Sequence, residues 1–183
     1  MEKEKQLQAI AQKIEKCVAC KKNTSGKSVP GEGSAHAEVV FVGEAPGKTE
    51  AATGRPFVGR SGKLLRRLIQ KIGLKEEKVF ITSVGKYLPD SGTPTTTQIL
   101  HGRTHLIEQL DVIQPKIVVL LGSVAVQGVL GEKIQVKKMH GTLRKTNNIT
   151  YFLTIHPAAA LRFVPLRKIL EEDFTKLQKT LRG

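Results

Sequence analysis

Apolar residues recur along positions 3–16 at helical spacing, with Leu7, Ile10 and Ile14 standing among charged neighbours and Val18 continuing the series. That period predicts an amphipathic helix leading into Cys17 and Cys20. Four short, nearly continuous apolar runs follow, at 38–43 (EVVFVG), 78–84 (KVFITSV), 116–122 (KIVVLLG) and 149–155 (ITYFLTI). Their β-branched content and lack of alternation fit strands covered on both faces. Helical patterns occupy 61–73, 97–113 and 123–131, and a last one, 165–183, opens on Pro165, where a first helical turn tolerates proline. Strands alternating with helices predict an α/β fold of three layers, αβα, around a central, mainly parallel four-stranded sheet. A chain of 183 residues buries a core without disulfides, so a single domain over 1–183 is expected.

Open sheets of this kind bind ligands beyond the carboxyl ends of their strands. The segments that leave the four runs are GEAPGKTE, TSVGKYLPD, GSVAVQG and HPAAALRF. They are expected to meet along one rim.

The first of them nearly spells a phosphate loop, because Gly43-x-x-x-Gly47-Lys48-Thr49 is one residue short of G-x-x-x-x-G-K-[ST]. The shortened loop carries Pro46, and Gly54, Pro56, Gly59 and Gly62 forbid the long helix that would aim at a phosphate. The KIVVLLG run also ends in glycine where a metal-holding carboxylate is wanted. These features argue against ATP. What the loop presents instead is a tight turn with exposed amides, the carboxylates of Glu44 and Glu50, and Phe57 among glycines. Phe57 either packs in the core or offers its face to a flat ligand. His156, at the carboxyl end of a buried-type strand, is a candidate for chemistry rather than packing.

Charge narrows the partner. Lys plus Arg number 30 against 16 Asp plus Glu, a net +14 spread along the whole chain, which favours a polyanion such as nucleic acid. Aromatic residues make up only 4%, too few for a stacking platform along a single strand. No apolar run approaches the ~20 residues of a membrane span, and the amino-terminal segment lacks a signal-peptide core, so a cytoplasmic protein is expected, without a membrane partner. In that compartment Cys17 and Cys20, a lone C-x-x-C, read as thiols or half of a metal site.

Taken in order, CVAC, VPGEG, FVGEAPG with Glu50 after it, GRPFVGRSGKLL, ITSVGKY, QPKIVVLLG and IHPAAALR resemble the family-four, iron-sulfur type of uracil-DNA glycosylase found in bacteria and archaea. The resemblance covers nearly the whole chain. It implies a monomeric enzyme of base-excision repair that hydrolyses the N-glycosidic bond of deoxyuridine, acting on double-stranded DNA with the damaged base flipped out. Single-stranded DNA is a further possible substrate form. By the same resemblance, the Gly43–Gly47 turn would contact uracil through the backbone of Glu44 and Ala45, Phe57 would stack on the base, and His156 would hydrogen-bond its carbonyl oxygen. Glu44 or Glu50 would orient water or offset charge on the sugar. Lys48 and Arg60 would face DNA, and Leu161 or Arg162 would wedge into the duplex.

Two departures from the family pattern stand out. Its four-iron four-sulfur cluster needs four cysteines, and the last two positions fall at Tyr87 and near Gly102. His101 and His105 lie close by in sequence, but neither their spacing nor their chemistry recommends them as replacements, so no cofactor is expected and Cys17 and Cys20 read as relics or a weak zinc half-site. The family also places an asparagine where this chain has Ser83. A hydroxyl distinguishes uracil from cytosine less well than an amide, which leaves the preferred base open, other deaminated bases included. The losses together define an alternative, a glycosylase-like DNA-binding protein with little or no catalysis.

Overall fold

All four apolar runs become strands, and a computed structural model describes them together with the rest of residues 1–146 and 148–182. The elements in chain order are α1 (Glu2–Lys16), α2 (Val18–Lys21), β1 (Thr24–Ser25), β2 (Glu32–Gly33), β3 (Val39–Gly43), α3 (Lys48–Thr53), α4 (Arg60–Lys71), β4 (Val79–Ser83), β5 (Leu88–Pro89), α5 (Thr96–Ile113), β6 (Ile117–Leu121), α6 (Ser123–Leu130), α7 (Val136–Met139), β7 (Thr142–Thr146), β8 (Ile149–Thr154), α8 (Pro157–Arg162) and α9 (Val164–Arg182). The carboxyl-terminal helix predicted from Pro165 is α9, whose expected last residue, Gly183, lies outside the described residues.

The expected four-stranded sheet is corrected to six strands, ordered β2-β4-β3-β6-β8-β7. Its centre is the predicted part, with β4, β3, β6 and β8 parallel. The edges are additions, β2 antiparallel to β4 and β7 antiparallel to β8. A separate two-stranded ribbon pairs β1 with β5. The edge strands escape hydrophobic pattern reading for a physical reason. A two-residue strand has no period, and β7 (TLRKT) exposes most of its side chains, as edges that resist further pairing do.

The pleat sends alternate side chains to opposite layers. Val39, Phe41, Ile81, Val119 and Leu121 pack against α4 and α9, whereas Val40, Val42, Phe80, Val118 and Leu120 pack against α5 and α6. Helix α4 carries its apolar residues Leu64, Leu65, Leu68 and Ile69 on one side and basic residues on the other, which is why it lies flat on the sheet. Helix α1 buries Ile10 and Ile14 against Tyr87.

Helix α5 approaches the end of β4 very closely. A Cβ at Gly102 would sit 2.3 Å from the Val84 carbonyl oxygen. Backbone cannot yield as a flexible side chain does, so Gly102→Ala is expected to lower stability by about 1 to 3 kcal/mol. A urea melt should show this as a lower midpoint at unchanged slope, and a midpoint equal to wild type would contradict the close packing.

Candidate functional site

The carboxyl ends of β3, β4 and β8 open onto one cleft, lined by Glu44, Ala45, Gly47, Phe57, Ser83 and His156 among others. Gly122 and Ser123, after β6, border an adjoining hollow that shares Glu44 and His156. The four rim segments therefore meet, and the first shapes the site.

After β3 the chain turns through Glu44–Gly47 and enters α3, six residues that stop at Gly54 in a left-handed conformation. The Glu44 carbonyl accepts from the Gly85 amide at 2.9 Å, which ties this turn to the segment after β4. The amides of Glu44 and Ala45 have no acceptor among the described residues. They remain available to a ligand oxygen.

Glu50 and Glu44 have opposite surroundings. Glu50 is 9% exposed, and its Oε1 accepts from the Val58 and Gly59 amides at 2.9 and 2.8 Å while Oε2 accepts from the Gly47 amide at 3.2 Å. Both oxygens are engaged in holding the loop. The Glu44 side chain makes no hydrogen bond to another described residue, and burial pushes its carboxyl above the usual range.

Phe57 belongs to the core and to the cleft. It is 6% exposed and packs with the core on the α4 face, yet it also lines the cleft. Its φ is +50°, a conformation uncommon outside glycine. Two glycines make room for it. A Cβ at Gly43 would meet the Phe57 ring at 2.4 Å, and one at Gly62 would meet the Phe57 carbonyl carbon at 2.0 Å. Behind the turn, Arg66 donates to the carbonyls of Phe57 and Pro56 at 2.9 and 2.8 Å and is itself paired with Glu32 and Glu76.

The Phe57 ring stacks against His156, with centroids 5.8 Å apart and planes 29° from parallel. His156 caps α8, its Nδ1 accepting from the Ala158 amide at 3.1 Å. An accepting Nδ1 places the proton on Nε2. Burial lowers the pKa to about 4, against a smaller opposing pull from Glu50. The imidazole is thus a neutral donor. Ser83 ends β4 directly beside Gly43 in register and is 5% exposed on the cleft wall.

The DNA-facing candidates divide. Lys48 and Arg60 begin α3 and α4 on the exposed surface and do not line the cleft. Arg162 lines it, and Leu161, 37% exposed, stands beside Phe163 and Val164, 57% and 82% exposed. Phe163, which also lines the cleft, was not singled out in the sequence. Its signal was available: three large apolar residues, Leu161, Phe163 and Val164, sit immediately before Pro165 with a single arginine among them.

Sequence reading also missed Lys86, buried behind the cleft wall. Its ammonium donates to Thr82 Oγ1 at 2.7 Å, Gln109 Oε1 at 2.8 Å and the Pro30 carbonyl at 3.3 Å, and burial lowers its pKa to about 7.

The family's iron-sulfur ligand positions do not fit a four-cysteine cluster. Tyr87, where the resemblance implies one ligand, is buried, its hydroxyl donating towards the carbonyls of Ile14 and Glu15 at 3.4 and 3.3 Å. Gly102 has no room for any side chain. The expectation that the nearby histidines are badly spaced is corrected, because α5 brings both to the cysteines. Cys17, Cys20, His101 and His105 hold their donor atoms within 4.8 Å of one another.

A family model for the uracil DNA glycosylase superfamily matches residues 30–181. The chain is 42% identical to a type-4 uracil-DNA glycosylase of Saccharolobus solfataricus, covering 96% of this chain and 86% of that one. A type-4 enzyme of Sulfurisphaera tokodaii is also 42% identical, over 94% and 84% of the two chains. One from Thermotoga maritima is 33% identical over 98% of this chain and 97% of the relative.

The His156 environment has a measurable consequence. In the unfolded chain a histidine protonates near pH 6.5, whereas the folded site resists protonation down to about pH 4. Between those values the unfolded state binds more protons, so this contribution to stability is complete above about pH 6.5 and is lost as the pH falls towards 4. An NMR titration should place the His156 ring midpoint near 4, and His156→Gln should flatten that portion of the pH-stability curve. A ring midpoint near 6.5 would remove the case for a neutral donor.

Proposed function

Because the chain belongs to the uracil-DNA glycosylase superfamily and to its type-4 branch, we propose that it hydrolyses the N-glycosidic bond of deoxyuridine in DNA, leaving an abasic site. The observation that carries this reading is the convergence on one cleft of a neutral imidazole, a carboxylate with no partner among the described residues and an aromatic face. Flipping a nucleotide into the cleft costs a few kcal/mol of unstacking. Stacking on Phe57 and hydrogen bonds from the Ala45 amide offset part of that cost.

In the reaction the bond between the sugar C1′ and the base N1 breaks and its electron pair leaves with uracil. Negative charge gathers on the base carbonyl oxygens, where a prepositioned donor such as His156 Nε2–H stabilises it. The sugar gains oxocarbenium character. Water then adds to C1′, and Glu44 orients it and takes its proton, a role for which a raised carboxyl pKa is suited. Glu50 acts through the loop it holds. Its place is positioning, while Glu44 touches the reaction.

The exposed ridge of Leu161 and Phe163, with Arg162 between them, fits a wedge that fills the gap left by the extruded nucleotide. Lys48, Arg60 and the wider +14 charge suit the phosphate backbone, a salt-dependent attraction without sequence preference. Replacing Phe163 with Ala should raise KM on duplex substrate several-fold while leaving release from a single strand unchanged. An equal loss on both substrates would argue against the wedge.

A labelled duplex with one U·G pair, incubated with protein and then treated with hot alkali, is expected to break at the uracil. Intact strands at high protein, with duplex binding retained, would instead favour a binding protein that has lost catalysis. Ser83→Asn in the same assay should sharpen the preference for uracil over other bases by about tenfold, the equivalent of one well-made hydrogen bond to the leaving base. Unchanged preference would take Ser83 out of base reading.

A further inference from the structure

We propose that Cys17, Cys20, His101 and His105 form a mononuclear, tetrahedral site for zinc, standing where the family's four-cysteine cluster would otherwise be built. The inference rests on this geometry alone and is independent of the uracil chemistry.

The spacing is Cys17-x2-Cys20 followed by His101-x3-His105, the pattern of structural Cys2His2 zinc sites. Each half is placed by a local element. Cys17 is the N-cap of α2, its sulfur accepting from the Cys20 amide at 3.4 Å, so one turn of helix sets both thiols on the same side. His101 and His105 are one turn apart on α5, which likewise brings them to one face, their rings edge-to-face with centroids 5.4 Å apart. Cys17 Sγ and His101 Nε2 are already 3.1 Å apart.

These separations decide between one ion and a cluster. A tetrahedral zinc with ordinary bond lengths puts sulfur and nitrogen about 3.6 Å apart and two sulfurs about 3.8 Å apart. All four donors lie within 4.8 Å of one another, close to that arrangement. An iron-sulfur cluster interposes several irons and sulfides between its ligands and needs a wider cage, and a Rieske-type centre would separate the cysteine pair from the histidine pair onto two irons. Here one cysteine and one histidine are in contact.

A second observation points to a ligand independently. His105 is 3% exposed, and neither of its ring nitrogens has a hydrogen-bond partner among the described residues. Buried polar atoms are rarely left so, and an ion satisfies one of them directly. The charges also balance. Zinc displaces the two thiol protons to solvent, and two thiolates with two neutral imidazoles leave the centre uncharged. A neutral centre adds no net charge near the buried Lys86.

Occupancy would fasten α1 and α2 to α5 across 84 residues of sequence. The chain between β4 and α5 supplies Leu88, Gly92 and Thr93 to the cleft wall, so the ion would steady that wall from behind.

Full-length protein from cells supplied with both zinc and iron, purified without chelator, should contain about one zinc per chain and no acid-labile sulfide. After stripping, cobalt(II) should bind at about one per chain with the visible bands of a tetrahedral thiolate site, and Cys20→Ser and His105→Gln should each weaken binding at least tenfold. Stoichiometric iron with sulfide, cobalt bound without thiolate bands, or His105→Gln at wild-type affinity would overturn the proposal. Should the variants not fold, the wild type decides. Zinc at a hundredfold excess over Kd should raise the Tm of stripped protein by about 5 to 10 °C, reversibly with chelator, and no rise would overturn the site.

Discussion

The candidate site depends on one buried carboxylate. Glu50 takes the amides of Gly47, Val58 and Gly59 onto its two oxygens and so joins the start of α3 to the start of α4 across an irregular loop. Hydrogen bonds to a charged group contribute about 1.5 to 3 kcal/mol each. The left-handed backbone at Phe57 costs about 1 to 3 kcal/mol. Three such bonds, with Arg66 gripping the carbonyls of Pro56 and Phe57, outweigh that strain and keep the ring against His156. A loop free to relax would lose the aromatic wall of the cleft.

This arrangement separates two roles that one pair of acidic residues in a sequence cannot reveal. Glu44 and Glu50 are six positions apart and chemically the same, yet one is saturated by backbone donors and the other has no partner among the described residues. The division is one of environment. His156 follows the same logic, since the Ala158 amide occupies Nδ1 and burial keeps the ring neutral, which suits a hydrogen-bond donor to a leaving anion better than a permanent cation would.

Much of the central sheet was legible because its strands are buried on both faces and therefore read as continuous apolar runs. The edges were not, since β2 is too short to show a period and β7 is mostly solvent-facing. At the cleft, glycines, a strand-end histidine and the paired carboxylates stood out locally. What stayed hidden was whatever depends on elements far apart in sequence. Lys86 looks like one lysine among many until Thr82, Gln109 and Pro30 enclose it. The cysteines and histidines seemed mismatched in sequence, and only the passage of α5 beside α2 brings their donor atoms together. Phe163 stands between two helices, in the extended backbone that ends α8, and its exposure is set by how α8 and α9 meet rather than by any local period.

The proposed function stands on Glu44 performing chemistry in a cleft whose loop Glu50 holds in place. The most direct measurement is single-turnover release of free uracil, identified by mass, from a U·G duplex by wild type and by Glu44→Gln at matched duplex affinity. One uracil per duplex from wild type and at least a hundredfold slower release from Glu44→Gln, at unchanged Tm, are predicted. Release by Glu44→Gln at the wild-type rate, or duplex bound by wild type with no uracil set free, would contradict it.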